Sequence, residues 1–231
     1  MMFQFSKFRA AFVFQLASCV VAAIVGVGCE KNAFSPDSVQ SKPKEVSVAA
    51  KPMPVPPIVS AARDQIGVTT VYDPSYVSLG YPGGDVPMDR GVCTDVVIRA
   101  LREARRMDLQ KLVHEDMRSA FDEYPKNWGL RKTDRNIDHR RVPNLRRFFE
   151  RQGFAVKPTD SPPEYKPGDL VTCRVGGRPH IMIVSDRKKT DDTPLIIHNI
   201  GSGTKEEDRL FQYEITGHFR LPVPTQQVKR N

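Results

Sequence analysis

The sequence predicts an α+β domain in which helices come first and an antiparallel sheet follows. Between residues 58 and 153 apolar residues recur at helical spacing, and residues that cap or end helices stand between the runs. After Pro167, short apolar strand patterns alternate with turn residues, and the pair Gly176-Gly177 predicts a tight hairpin. Helices and strands segregated along the chain are typical of α+β rather than alternating α/β folds.

Four helices are predicted in the first half of this domain. Ile58 to Ile66 forms a short helix ended by Gly67, and the second helix begins at Cys93 and runs to about Met107. Asp108 is a plausible cap for the third helix, and Pro125 ends it. Its buried stripe comprises Leu109, Leu112, Val113, Met117 and Phe121. The fourth opens at Pro143 and closes at Gly153.

The strands predicted for the second half form an antiparallel sheet of about four to six members. They are Leu170–Val175, His180–Val184, Leu195–His198 and Leu210–Ile215, with an edge segment His218–Leu221. Val68–Tyr72 is predicted to be extended. The segment Asp73–Gly91 is a long loop rich in Pro and Gly, and loops of that length inside a compact domain are usually functional or disordered.

The first 28 residues resemble an export signal. Lys7 and Arg9 precede an uncharged apolar run, Ala10–Gly28, and Cys29 follows it. A cysteine at this point suggests a bacterial lipoprotein acylated at Cys29, with Cys19 as the alternative. An uncleaved membrane anchor is also consistent with the run, since about 20 apolar residues span a bilayer. Each interpretation places the rest of the chain outside the cytoplasm.

Residues 29–57 contain six prolines and no apolar periodicity, which predicts a disordered tether ahead of a domain at residues 58–225 and a tail at 226–231. The net charge is +8, and without Lys7 and Arg9 the exported part keeps about +6. This charge suits an anionic partner such as the cell wall or membrane headgroups. Nucleic acid is a poor candidate because the sequence has no basic motif interleaved with aromatic residues.

Cys93 is the candidate nucleophile. It stands at a predicted helix start, where unpaired backbone N–H groups and the positive end of the helix dipole favour thiolate over thiol. His180 and His198 lie on later strand patterns, and side chains on neighbouring strands come within about 5 Å. We therefore expect His180 to act as the base and His198 to orient it, with Asn199 as a substitute for His198.

Two simpler interpretations stay open at this point. In an oxidising compartment Cys93 and Cys173 would form a disulfide, although Cys173 also fits an ordinary buried position in a strand. A lone histidine on a strand is often a satisfied core residue. The sequence contains no Cys or His spacing typical of a zinc site, so we expect neither metal nor cofactor.

Two stretches carry a resemblance to known families. The segment Lys166-Pro167-Gly168-Asp169-Leu170-Val171, followed by His180-Ile181-Met182-Ile183-Val184, resembles the turn, strand and histidine of NlpC-type cell-wall peptidases of the papain-like clan. More closely, the chain is similar to the bacterial family called domain of unknown function 1287. That similarity is carried by Tyr81–Pro87, Gly91–Asp95 and Asn136–Leu145 and covers about residues 58–222.

The resemblance implies a papain-like fold and a thiol hydrolase. Tyr72, Gly83-Gly84, Cys93, His180 and His198 occupy the peptidase roles in order, whereas Val92-Cys93-Thr94-Asp95 departs from the usual Asp-Cys-Ser-Gly. Further candidates for oxyanion stabilisation or substrate binding are Tyr72, Asp95, Asp138, His139, Arg140 and Arg141. An arginine of this set would hold a peptide carboxylate in a bidentate pair.

We therefore expect an exported, lipid-anchored cysteine hydrolase that cuts an amide bond in the peptide part of peptidoglycan. One alternative is an acyltransferase or amidase of the same fold acting on lipid or lipoprotein, which calls for a long apolar pocket at Cys93. Another is a non-catalytic envelope-binding lipoprotein in which Cys93 is bonded to Cys173.

Overall fold

A computed structural model describes residues 54–223 of the chain. The predicted signal peptide, most of the predicted tether and nearly all of the predicted tail therefore lie outside the described residues. Four α-helices are present in this range: α1 Pro57–Arg63, α2 Cys93–Arg105, α3 Leu109–Ser119 and α4 Val142–Arg151. Within residues 54–223 no helix has the length and apolar character needed to cross a membrane.

Six strands form one antiparallel sheet in the order β3-β8-β4-β5-β6-β7. They are β3 Ala155–Val156, β4 Leu170–Val175, β5 Arg178–Lys188, β6 Pro194–Asn199, β7 Thr204–Glu207 and β8 Glu214–Phe219. Two further strands, β1 Val71–Tyr72 and β2 Arg90–Gly91, pair in parallel. This small pair holds the long Pro- and Gly-rich loop closed at its base, directly before Cys93.

The sheet has a hydrophobic cluster on each face. On the helical face, Ile181, Ile183 and Ile197 pack with residues of all four helices, including Cys93. On the other face, alternate residues of the same strands pack with Tyr165 and Leu210; they include Val171, Cys173, Met182, Val184 and Ile196. Successive side chains of a strand point to opposite faces, so both faces of the central strands are buried.

The α+β class and the four helices agree with the sequence. Asp108 caps α3 as predicted, because its side chain accepts a hydrogen bond from the backbone N–H of Gln110 at 3.2 Å. Pro143 stands in the first turn of α4. Strands β4, β5 and β6 contain the predicted segments, and β5 extends to Lys188 beyond the predicted Val184.

The strand predicted at Leu210–Ile215 is wrong. Leu210 is a buried turn residue that packs in the second cluster, and the strand β8 begins only at Glu214 and includes His218. Two further strands, β3 and β7, were not predicted from the sequence. Both are short strands of the sheet edges, and Lys205-Glu206-Glu207 in β7 carries no apolar alternation that would reveal it.

Candidate active site

Cys93 is the first residue of α2, and its thiol faces backbone N–H groups. The amides of Cys93 and Thr94 at the helix start are directed towards the sulfur, and the amide of Ile181 on β5 joins them. The N–H of Val92 is taken by Asp95, whose Oδ2 lies 2.7 Å away. A cluster of free N–H groups at a helix start is the donor set required to stabilise a developing oxyanion.

The thiol reaches Ile181 because β5 and β6 separate at one end. Their pairing runs through Ile183–Ile197 and Val184–Ile196, and no pair is formed between Ile181 and Asn199. Asn199 instead donates its side-chain N–H to the carbonyl of Gly91 at 3.0 Å. The start of α2 is thereby fastened to the end of β6. Asn199 anchors the nucleophile loop and does not replace His198.

Three side chains on neighbouring strands form a hydrogen-bonded chain. His180 Nε2 on β5 lies 2.8 Å from His198 Nδ1 on β6, and His198 Nε2 lies 3.2 Å from Glu207 Oε2 on β7. Arg209 also binds this carboxylate, at 2.7 Å. The sheet register explains the order, since each member is a diagonal neighbour of the next on the same face.

The carboxylate at the end of this chain fixes the protons along it. An ionised Glu207 accepts a hydrogen bond, so His198 Nε2 carries a proton and neutral His198 leaves Nδ1 as an acceptor. His180 must then donate from Nε2, and its Nδ1 is unprotonated. This tautomer leaves His180 with one basic nitrogen, Nδ1. His180 lies opposite Cys173 on β4, on the face of the second hydrophobic cluster, and among residues 54–223 no hydrogen bond joins its ring to the Cys93 thiol.

Burial sets the resting protonation of these groups. It raises the pKa of Cys93 to about 11 and, with the nearby His198, lowers the pKa of His180 to about 3. Burial also lowers the pKa of His198, against the opposing effect of Glu207. These shifts favour the neutral thiol at rest, opposite to the thiolate expected from the helix dipole, because desolvation of the sulfur outweighs the backbone N–H groups.

Asp95 and Arg140, both expected to contact substrate, bind each other instead. Arg140 Nε and Nη2 each lie 2.9 Å from an oxygen of Asp95, and both side chains are buried. Arg140 also donates to the carbonyls of Ser75 and Asp73. Gly91 packs against Asp95, where a Cβ would come within 2.9 Å. This pair fixes the loop before Cys93, and four of the five guanidinium N–H groups of Arg140 are taken by protein oxygens.

A cavity of about 190 Å³ opens beside Cys93. Tyr72, Trp128 and Arg141 line it, and burial raises the pKa of Tyr72. The side chain of Arg141 stacks on Trp128, with 4.6 Å between the guanidinium carbon and the ring centre. Of the predicted substrate residues, Tyr72 and Arg141 thus stand at the nucleophile with side chains available to a ligand.

Asp138 and His139 lie in a buried turn, Asp138–Arg140, and are absent from the lining of this cavity. Burial raises the pKa of Asp138 to about 6 and lowers the pKa of His139 to about 4. The charges of Arg140, Asp108 and Arg102 also act on the pKa of His139. His139, named above as a candidate for substrate binding, therefore lies outside the cavity at Cys93.

Cys93 and Cys173 are free thiols, so the predicted alternative of a disulfide between them is wrong for this structure. They belong to clusters on opposite faces of the sheet. Burial raises the pKa of Cys173 to about 12, as expected for an inert core cysteine.

Two residues of this site, Glu207 and Trp128, were not predicted from the sequence. Glu207 lies on an unpredicted strand, and only its place four residues after the Gly201-Ser202-Gly203 turn suggests a return past His198. Trp128 lies in a polar segment with no periodicity, in the turn Asn127–Gly129. Its being the single tryptophan of the chain was the available signal. Within residues 54–223 no cluster of three metal-ligating side chains is present.

Comparison with known proteins identifies the family. The profile described as domain of unknown function (DUF1287) matches residues 59–221, which include Cys93, both relay histidines and Glu207. The chain is 56% identical over 167 residues to the uncharacterized protein YijF of Escherichia coli (strain K12), covering 72% of this chain and 81% of that protein. The chain therefore belongs to the DUF1287 family, as its loop and helix motifs suggested.

Proposed function

We propose that this protein is an exported cysteine hydrolase with a papain-like, NlpC-like fold that cleaves an amide bond in peptidoglycan peptides. The observation that carries the proposal is the hydrogen-bonded chain His180–His198–Glu207, whose first member directly precedes Ile181, the residue whose backbone amide faces the Cys93 thiol. The approach of His180 Nδ1 to the thiol is part of the proposal. A buried cysteine at a helix start, a neutral base and a group that orients the base are the components of thiol acyl transfer.

In the proposed reaction, His180 Nδ1 takes the thiol proton as sulfur attacks the amide carbonyl. The resulting oxyanion is stabilised by the free amides at the start of α2. The C–N bond breaks as His180 returns the proton to the leaving amine, which leaves a thioester on Cys93. Water, deprotonated by the same imidazole, then releases the acid and restores the thiol.

The shape of the surface supports a peptide chain as substrate. The cavity at Cys93 shares Val142, Pro143 and Pro179 with a second cavity of about 430 Å³, which is lined by charged side chains of α4 and by Arg174. The two cavities therefore adjoin each other on the surface beside Cys93. The cavity at Cys93 is only about 190 Å³, whereas the lipid acyltransferase alternative requires a long apolar pocket.

The decisive experiment is digestion of intact peptidoglycan with mass spectrometry of the released fragments. We expect fragments from the wild type and from Cys173→Ser, which removes the other buried thiol. We expect none from Cys93→Ala or His180→Ala, each shown to be folded by circular dichroism. Full release by either of the last two variants would disprove the proposed nucleophile and base.

The proposed lipid anchor rests on residues outside the described range. Labelling of cells with radioactive palmitate is expected to mark the protein, to persist in Cys19→Ala and to disappear in Cys29→Ala. Labelling that survives Cys29→Ala would contradict acylation at Cys29 and favour the alternative at Cys19, and absence of label from the wild type would contradict the anchor.

A further inference from the structure

We propose that Arg141 and Trp128 form a subsite for a free carboxylate of the substrate, one residue away from the scissile bond. This inference rests on the proposed amide hydrolysis at Cys93 and adds to it the chemical class of the group that is recognised. It also distinguishes two neighbouring arginines that the sequence presents as equivalent.

Arg140 and Arg141 differ in their hydrogen-bonded partners. Arg140 is neutralised by Asp95 through two hydrogen bonds of 2.9 Å each. The Arg141 side chain forms no hydrogen bond with the described residues, and its nearest acid, Asp138, lies 3.6 Å from Nη1. That distance is too long for a good hydrogen bond. Arg141 therefore retains donors that a ligand can use.

Among the described residues, the cavity at Cys93 is lined by positively charged side chains and by none that are negative. Its lining contains Arg140, Arg141 and the Cys93 thiol but no aspartate or glutamate. With Arg140 already paired, the guanidinium of Arg141 is the charged group of this lining without a hydrogen-bonded acid, and Asp138, at 3.6 Å, lies outside the lining. A guanidinium fork matches a carboxylate in a planar, two-bond geometry, and such pairs are stronger than neutral hydrogen bonds.

Trp128 lies against Arg141 in the lining of the cavity. Trp128 is 59% exposed although its ring lies against Arg141. Its backbone adopts φ 63°, which is uncommon for a large residue. Stacking on one face of the guanidinium restricts its plane and leaves the N–H edges for a ligand. The cavity is only about 190 Å³, so a carboxylate bound there lies close to the carbonyl that Cys93 attacks.

The single tryptophan of the chain makes this subsite directly observable. We would titrate the full chain carrying Cys93→Ala with N-acetyl-alanyl-alanine and follow Trp128 fluorescence at pH 7. The matched probe is the same dipeptide with a C-terminal amide, and both peptides are tested in the L and D configurations. Because the variant lacks the nucleophile, binding is measured independently of hydrolysis.

We expect the acid of at least one configuration to change the fluorescence at concentrations about tenfold or more below its amide. Arg141→Gln in the same background should remove this preference, and Arg141→Lys should retain part of it. Arg118→Gln, an exposed arginine of α3 that lines neither cavity, should leave it unchanged. Thermal melting confirms that each variant is folded.

Equal response to acid and amide, no response to either, or a preference that survives Arg141→Gln would overturn the proposal. The two proposals fail separately. Acid-selective binding without release of peptidoglycan fragments by the wild type would retain the carboxylate subsite and reject the hydrolase. Cys93-dependent release without acid selectivity would retain the hydrolase and reject the subsite.

Discussion

Asp95 and Arg140 form a two-bond ion pair in which each side chain is at most 3% exposed. The pair joins the first turn of α2 to the turn Asp138–Arg140, and it thereby connects two segments 45 residues apart in the chain. The carboxylate also receives the N–H of Val92. The segment that carries Cys93 is thus held by a buried ion pair as well as by hydrophobic packing.

Removing one member of this pair should destabilise the fold strongly. Arg140→Ala leaves the Asp95 carboxylate buried without its partner, and we expect a loss of about 3–5 kcal/mol in the free energy of unfolding. Urea denaturation measures this loss. Arg146→Ala, which breaks a partly exposed pair, should cost less than about 1 kcal/mol. The double variant Asp95→Ala/Arg140→Ala should lose less than the sum of the single changes, and simple additivity would argue against the pairing.

The reactivity of Cys93 should rise with pH well above neutrality. Because burial raises the pKa of Cys93 to about 11, the thiolate is scarce at pH 7 and increases about tenfold for each pH unit up to that value. Alkylation by iodoacetamide, followed by mass spectrometry of the peptide containing Cys93, should show this slope between pH 7 and 10. A rate that is constant from pH 5 to 8 would indicate a resting thiolate–imidazolium pair and contradict the prediction.

Glu207→Gln should lower activity by changing proton positions rather than by unfolding the protein. The amide of glutamine can donate to His198 Nε2, which places the protons of His198 and His180 on their Nδ1 atoms. His180 would then lack a basic nitrogen for the thiol. We expect kcat to fall about tenfold to hundredfold with KM little changed.

The control for this prediction is Glu206→Gln on the same strand. Glu206 binds Arg63 and Ser185 rather than His198, so its replacement should affect stability and leave kcat nearly unchanged. Nitrogen-15 chemical shifts of the histidine rings should report a changed tautomer in Glu207→Gln alone. Unchanged shifts together with unchanged kcat would remove Glu207 from the relay.

The sequence was sufficient for the parts of this molecule that repeat a local rule. Helix α3 has an aspartate cap and a regular apolar stripe, and the hairpin between β4 and β5 has a Gly-Gly turn, so each was predicted from a few residues. The His180–His198 contact also followed from strand order, since neighbouring strands bring alternate residues together.

The remaining features depend on long-range contacts that have no local signature. The neighbours of Arg140 in the sequence do not show that it pairs with Asp95 while Arg141 does not. This pairing depends on how the loop before α2 folds. The raised pKa of Cys93 results from burial of the thiol, which outweighs the helix dipole predicted from its position. Glu207 was missed because edge strand β7 is held by backbone pairing to β6, with charged rather than apolar side chains.

The position of Glu207 on β7 has a consequence for how the protein responds to heating. β7 is the outermost strand of its sheet edge and has β6 as its strand partner, with one further backbone bond from Thr204 to Thr69. Edge segments open locally at lower free energy than central strands. Detachment of β7 would separate Glu207 from His198 while α2 and the central strands stay folded. Backbone hydrogen exchange should therefore be faster in β7 than in the central strands of the sheet. The proposed hydrolase activity should be lost below the temperature at which the domain melts.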